Sequence, residues 1–299
     1  MSRAARTVAS SISYWATVLA FIGPFLVLLL VFQYWPVLQM VRDSFYDFSL
    51  LNPTVRSFVG LDNFAYVLTD PDRIQAFLVT FALAIGTVCT VVPLSFLLAV
   101  YLNGALPARG IIRTIIFLPV VTSVVVIATM WTFLLDANNG LVNSALSSLG
   151  LPRGLFLTDK HQALPSIVLM TLWQQTGFAT VLYLSGLQGI PQELEHAAAV
   201  DGAGPLQKLW HVTLPLLART TVFVVVIMTI FSLQAFAPPL IMTGGGPEGM
   251  TNFVAYDIYQ LAFQLQLPGV ASAVSVVFML IVLAISLVQM HLLRARWNY

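Results

Sequence analysis

Six stretches of this chain, at roughly 15–36, 75–102, 112–135, 164–187, 219–242 and 270–293, run for 20 or more residues without Asp, Glu, Lys or Arg in their central part. A helix needs about 20 apolar residues to cross the hydrocarbon core of a bilayer. The rest of the composition leaves little alternative. Of 299 residues 59% are hydrophobic and 8% charged, with a mean hydropathy of +0.89, whereas soluble domains carry about 25% charged residues. The expected fold is all-α, a polytopic membrane protein with six transmembrane helices surrounded by lipid. Pro24, Pro93 and Pro119 fall inside spans, where neighbouring helices can satisfy the freed backbone groups. Trp15, Trp35, Tyr101 and Trp131 lie near span ends, as interfacial aromatics do. Arg3 and Arg6 precede an apolar run that is too long for a signal peptide, and an uncleaved first span is expected.

Six spans place both termini on one side. With that side cytoplasmic, the inside holds Arg3, Arg6, Arg109, Arg113, Lys208, Arg219, Arg294 and Arg296, and the outside holds Arg42, Arg56, Arg73, Arg153 and Lys160. The excess of inner cations favours cytoplasmic termini. The outer segments are then 37–74, 136–163 and 243–269, the first reading as an ordered loop with a short interfacial helix. Residues 1–299 are expected to form a single transmembrane domain.

One polar island interrupts this pattern, PQELEHAAAVDGAGPLQKLWHVTLP at 191–215. Pro191 suits a helix start, and Glu193 and Glu195 favour the first turn through the helix dipole. Leu194, Ala197, Ala198 and Val200 supply a small apolar face. Asp201-Gly202 breaks the helix, and Gly204-Pro205 opens a second one through Leu206, Leu209 and Trp210. The result is a helix–turn–helix on the membrane surface whose Ala and Gly residues admit close approach by a partner.

The spacing resembles the EAA loop of binding-protein-dependent ABC importer permeases: Glu-Ala-Ala, three residues, Gly, nine residues, Ile, one residue, Leu-Pro. Here it reads His196-Ala197-Ala198, Gly202, Val212 and Leu214-Pro215, with His in place of Glu and Val in place of Ile. GLDNF at 60–64, Arg113-Thr114 to Leu118-Pro119, Gly140-Leu141-Val142-Asn143 and MTGGGP at 242–247 resemble the carbohydrate-uptake, maltose-permease-like branch. The resemblance covers residues 15–295. It implies a cytoplasmic coupling helix pair at 191–212, with Glu193, Glu195, His196, Ala197, Ala198, Asp201, Gly202 and Ala203 facing an ATPase. It also implies the partners: a second permease in a heterodimer, two ATPase subunits that bind ATP and Mg, and an extracytoplasmic solute-binding protein. The location implied is the cytoplasmic (inner) membrane of a prokaryote.

Nothing in the chain supports catalysis. Leu184-Ser185-Gly186-Leu187-Gln188 is a chance likeness to an ATPase signature, and no GxxxxGK[ST] loop occurs. No cofactor is expected in this chain, and hydrolysis falls to separate subunits. His161, His196, His211 and His291 lack metal-ligand spacing. Cys89 reads as a small core residue. The formal charge of +1 gives no footing for a nucleic-acid partner.

Polar side chains in mid-span are costly and mark function or helix–helix hydrogen bonding. Thr171, Gln174, Gln175 and Phe178 can share one face of span four, and Met228, Phe231, Ser232 and Ala235 one face of span five, with Gln234 close by. Amides, a hydroxyl and aromatic faces suit a neutral hydroxylated ligand. The resemblance places its sugar-pore site at Gln174, Gln175, Phe178, Met228, Phe231, Ser232 and Ala235. The function implied is uptake of a sugar or related solute. Glycerol-3-phosphate or a glycerophosphodiester is the alternative within the importer class. A secondary transporter or channel is the alternative outside it, disfavoured because no Asp, Glu, Lys or Arg lies in the central part of a span.

Overall fold

The computed structural model describes residues 17–104 and 109–292. The readings placed on Arg3, Arg6, Trp15, Arg294 and Arg296 lie outside those residues, and the side chains of Gln192 and Glu195 are likewise not described. In chain order the elements begin with α1 (Thr17–Asp43), a hairpin of β1 (Tyr46–Ser49) and β2 (Asn52–Phe58), α2 (Asp62–Thr69) and α3 (Pro71–Asn103). They continue with α4 (Arg109–Val121), α5 (Val124–Leu134), α6 (Leu141–Ser148), α7 (Ala163–Gln188), α8 (Gln192–Val200) and α9 (Pro205–Leu216). The last are α10 (Ala218–Leu233), α11 (Val254–Tyr259) and α12 (Pro268–Leu292).

Four of these, α1, α3, α7 and α12, are long and apolar enough to cross a membrane. Two more stretches are bent pairs: α4 with α5, turned by 99°, and α9 with α10, turned by 68°. The stretch expected as one continuous span at 112–135 is therefore broken at Thr122-Ser123. Pro119 removes a helical N–H, and the β-branched run Val120-Val121-Thr122 has little helix preference to bridge the loss. Ser123 is extended (φ −56°, ψ 132°) and makes no side-chain cap. The fifth stretch also stops short, since α10 ends at Leu233 and Pro238-Pro239 follow.

The chain divides into two compact units, residues 1–66 with 261–276 and residues 67–260 with 277–299. In the first, α1 ends on Arg42 and Asp43, and Asp43 also binds Arg56 of β2 at 2.7 Å. The segment expected as a loop contains an antiparallel hairpin pairing Tyr46 with Phe58 and Phe48 with Arg56. The Arg56 guanidinium lies 4.2 Å over the Phe48 ring. Asn63, from GLDNF, donates to the carbonyls of Ser44 and Tyr46 at 2.9 and 3.1 Å. That motif is thus a clasp for the hairpin.

In the second unit α3 and α7 form the centre, with α4 and α10 beside them. Asp70 caps α3 by accepting from the Asp72 and Arg73 amides, both at 3.1 Å, and Pro71 occupies the first turn, where no N–H is missed. Apolar residues face both lipid and core, so small side chains set the packing. Ala84, Thr87, Ser95 and Ala99 are buried on α3, and Ser95 donates across to the Thr176 carbonyl at 3.2 Å. Two apolar clusters result. One holds Leu83, Ile127, Ile167, Met170, Met242 and Phe253. The other holds Val91, Leu102, Tyr183, Leu187, Leu217 and Met228. Asn143, from Gly140-Leu141-Val142-Asn143, exchanges two 2.8 Å hydrogen bonds with the Gly154 backbone and fastens the loop after α6.

Candidate functional site

Three features of the second unit bear on function. The first is a cavity of about 550 Å³ between α3, α5, α7 and α10. Gln174, Gln175, Met228, Phe231, Ser232 and Ala235, six of the seven residues singled out from the sequence, line it together, as do Thr171 and Gln234. The seventh, Phe178, does not line the cavity but stands behind it, its ring 6.0 Å from that of Phe231. The helical spacings that put these residues on single faces thus converge from α7 and α10 on one space.

The chemistry of the lining is uncharged. Thr171 and Ser232 donate to the carbonyls four residues back, Ile167 at 2.9 Å and Met228 at 2.8 Å, leaving their lone pairs to accept. Among the described residues no side-chain hydrogen bond engages Gln174, Gln175 or Gln234, although Gln174 is buried. Gln175 is half-buried and Gln234 exposed, and none of the three amides is shut off from solvent without a partner, so they are free to bind rather than joining helices of this chain. Phe231 and Phe236 add aromatic surface. Leu83, Val124, Val125, Met170 and Phe236 also line the cavity and were not singled out from the sequence. Val124 and Val125 reach it only because the helix breaks before them, for which Thr122-Ser123 after Pro119 was the available signal.

The second feature is the 191–216 segment. α8 ends at Val200, Gly202 takes a left-handed φ of +79°, and α9 follows from Pro205. Gln207 accepts from the Gly204 amide at 2.9 Å and closes the turn. The second helix runs further than its sequence suggested, through a π-helical turn at Leu209–Thr213 to Leu216. The wider turn accommodates Pro215, which has no N–H to give. Glu193, His196, Ala197, Asp201 and Gly202 are exposed, while Ala198 and Ala203 are half-buried. Val200 is 88% and Trp210 59% exposed, unusual for apolar side chains on a charged segment. A groove of about 440 Å³ between the helices is lined by His196, Ala199, Val200 and Lys208.

The third feature is the loop carrying MTGGGP. Gly244 (φ +60°) and Gly245 (φ +84°) make the turn after α10. Thr251 donates to the Gly246 carbonyl at 2.6 Å and contacts Thr243 at 2.7 Å. Lys160, before α7, binds Glu248 at 3.1 Å, and Arg73, in the first turn of α3, lies 2.7 Å from Asp257 of α11. The start of α3, the start of α7 and the loop after α10 therefore share one side of the bundle. The 191–216 segment joins the opposite ends of α7 and α10. Asp257 is 1% exposed. Burial pushes its carboxyl above the ordinary range, against the Arg73 guanidinium and an Asn252 hydrogen bond that pull it down.

Among the described residues no group of three or more His, Cys, Asp or Glu could hold a metal.

Comparison with known proteins agrees with this arrangement. Residues 91–298 match the family described as binding-protein-dependent transport system inner membrane component. The chain is 35% identical over 275 residues to the probable ABC transporter permease protein YurN of Bacillus subtilis, covering 90% of this chain and 93% of that one. It is 33% identical over 278 residues to the trehalose/maltose transport system permease protein MalF of Thermococcus litoralis, covering 91% and 92%. Among solved structures it resembles a chain of a bacterial ABC transporter involved in the import of the acidic polysaccharide alginate, with a TM-score of 0.85 at 25% identity, covering 98% of this chain and all of that one. Built on apolar helices of membrane-crossing length and matched over more than two thirds of its residues, the chain belongs to the inner membrane components of binding-protein-dependent transport systems.

Proposed function

We propose that this chain is one of two permease subunits of an ATP-driven importer, and that it passes a neutral sugar or similar hydroxylated solute delivered by an extracytoplasmic binding protein. The observation that carries the reading is the cavity between α7 and α10. Free amides, hydroxyl acceptors and aromatic faces meet there without a charged side chain. Hydroxyl groups can take the place of water on Gln174, Gln175 and Ser232, and a sugar's apolar face can lie on Phe231. A phosphate or carboxylate entering the same space would lose hydration without meeting a cation, and unpaired charge is far costlier to bury than a neutral hydroxyl. This favours a neutral solute over glycerol-3-phosphate or a glycerophosphodiester.

In this reading residues 1–299 act as a single permease domain with six spans, each bent pair counting as one, and with both termini cytoplasmic. The segment at 191–212 docks on an ATPase subunit. Glu193, Glu195, His196, Ala197, Ala198, Asp201, Gly202 and Ala203 lie at or near the contact, while exposed Val200 and Trp210 offer apolar surface for the partner to cover. ATP and Mg are held by those partners, and this chain itself is not an enzyme. Closure of the ATPase pair moves the segment, the movement passes along α10, and the cavity opens alternately to either side.

The test is uptake by the assembled transporter in proteoliposomes supplied with its binding protein. Gln174→Leu, Gln175→Leu and Ser232→Ala should each weaken apparent solute affinity about two- to tenfold, the worth of one neutral hydrogen bond. Basal ATPase activity and the binding protein's own affinity should not change. Wild-type uptake kinetics for all three would move the solute site out of this chain and into the partner permease.

A further inference from the structure

The first compact unit carries a cationic pocket that solute passage leaves unused. It has a volume of about 380 Å³ and is lined by Arg42, Tyr46 and Arg56. Arg42 lies in the last turn of α1, Tyr46 opens β1 and Arg56 belongs to β2. The length of α1 sets the level of the pocket. Its 27 residues reach about 40 Å at 1.5 Å per residue, more than a hydrocarbon core of about 30 Å requires. From Thr17 to Val41 the helix has no Asp, Glu, Lys or Arg, so Arg42 and Asp43 are the first charges in its described length. Charged side chains are costly within the hydrocarbon, and the pocket therefore sits among the lipid headgroups.

The charges there do not cancel. Arg42 donates to Asp43 Oδ1 from Nε at 3.0 Å and from Nη2 at 2.8 Å, and Arg56 Nη1 donates to the same oxygen at 2.7 Å. Two guanidinium groups share one carboxylate, which leaves one positive charge. Tyr46 and Phe48 pair with Phe58 and Arg56 on one face of the hairpin, while Asp47 pairs with Ser57 and points to the other. Neither Asp47 nor Asp62 lines the pocket. Both arginines remain within reach of a ligand, their side chains 55% and 30% exposed. Arg56 is braced on the Phe48 ring, so its guanidinium is in place before anything binds.

Apolar surface adjoins the pocket. Phe58, whose ring lies 5.5 Å from that of Tyr46, is 70% exposed, and Leu51 in the hairpin turn is 85% exposed. A phosphodiester accepts charge-assisted hydrogen bonds from guanidinium groups, and the acyl chains attached to it cover apolar side chains beside it. Inorganic phosphate can meet the arginines but leaves Leu51 and Phe58 bare.

The geometry points to a binding site for the headgroup of an anionic phospholipid, which ties the β-hairpin to the leaflet at the end of α1. The test uses the assembled transporter with benzoylphenylalanine in place of Tyr46, irradiated in nanodiscs of phosphatidylcholine that contain a minority of phosphatidylglycerol. Mass spectrometry of the peptide carrying residue 46 should show adducts enriched in phosphatidylglycerol beyond its share of the bilayer. Arg42→Gln, which leaves the pair of Asp43 and Arg56 intact, should lower that enrichment roughly fivefold, the worth of one basic side chain near an anionic membrane surface. Arg42→Lys keeps the charge and should keep most of the enrichment. Raising the salt concentration should lower it without any further substitution, and inorganic phosphate should do no more than sodium chloride at equal ionic strength. The site is refuted if adducts follow bilayer composition, if enrichment is indifferent to salt, or if an assembled Arg42→Gln complex matches the unsubstituted one. Loss of enrichment to phosphate alone would refute it in favour of a free anion, and cross-links to a partner protein in place of lipid would refute it in favour of a protein contact.

Discussion

Gly177 on α7 faces α4 at a point where two backbones nearly touch. A Cβ built there would come 3.0 Å from both the Ile116 carbonyl carbon and Val120 Cγ2, and closer still to the Ile116 carbonyl oxygen. Ordinary contact begins at 3.4 Å, so α4 must retreat by at least about 0.4 Å at these atoms, and by more at the oxygen. A side chain can rotate away, but a backbone carbonyl in a helix cannot do so without breaking its own hydrogen bond. Overpacking of this kind costs about 1–3 kcal/mol, which for a chain of this size lowers Tm by roughly 1.5 °C per kcal/mol. Gly177→Ala should therefore melt a few degrees below wild type when the purified complex is heated and its remaining monodisperse fraction measured. Uptake should fall too, because α4 leads directly into Val124 and Val125 of the cavity wall. Gly110→Ala, on the same helix α4 with none of the described residues within 4 Å, is the control and should be neutral or slightly stabilising. Equal Tm values for Gly177→Ala and wild type, or equal losses for the two variants, would refute the argument that backbone proximity sets this interface.

Three further outcomes follow from Gly202, Arg73 and Asp257. Gly202 has φ +79° and open space where a Cβ would point, so Gly202→Asp strains only the backbone, by about 1–2 kcal/mol; the complex should reach the membrane but lose solute-stimulated ATPase activity, and unchanged stimulation would show that nothing docks there. Arg73→Met should destabilise the fold by roughly 3–5 kcal/mol by leaving the buried Asp257 without its counter-charge, and Arg73→Met/Asp257→Asn should recover most of the loss in a double-mutant cycle. The pH dependence has a definite sign. Folding raises the Asp257 pKa above 3.8, so the native state binds the extra proton, and this group's contribution is complete below pH 3.8 and is lost as pH rises through the native pKa. Asp257→Asn should flatten that part of the wild-type stability profile, and an unchanged slope would assign it to another group.

The parts of the site carried by single helices were legible in the sequence. Gln174 and Gln175, and Met228, Phe231 and Ser232, follow helical spacing in long apolar runs, and a helix converts spacing into a face. Gly202 and Gly204-Pro205 likewise marked their turn by local chemistry. What depended on distant partners was not legible. Val124 joins the cavity through a break that no periodicity reveals, and Leu83 through the packing of α3 on α7. Asn63 and Asn143 stood out as family marks, yet each serves as a clasp on carbonyls 6 to 19 residues away in sequence, which only the folded chain brings near. The hairpin at 46–58 was missed because its apolar residues, Tyr46, Phe48, Val55 and Phe58, are too few and too irregularly spaced, across a bulge between Phe48 and Ser49, to stand out beside the membrane-length runs.

The break at Thr122-Ser123 also bears on how the chain is made. At about 1.5 Å per residue, α4 with 13 residues and α5 with 11 are roughly 20 and 17 Å long, so neither half crosses a hydrocarbon core about 30 Å thick. Backbone groups exposed at the break cannot face lipid and must be covered by protein or reached by water. This stretch thus lacks what a newly synthesised segment needs to settle in a bilayer by itself, and α4 packs on α7, which emerges later during synthesis. Until α7 arrives the nascent chain carries an incompletely inserted segment, open to quality-control proteases. Damage to the α4–α7 contact should therefore appear in cells first as a shortage of protein, before any transport defect can be measured on what survives.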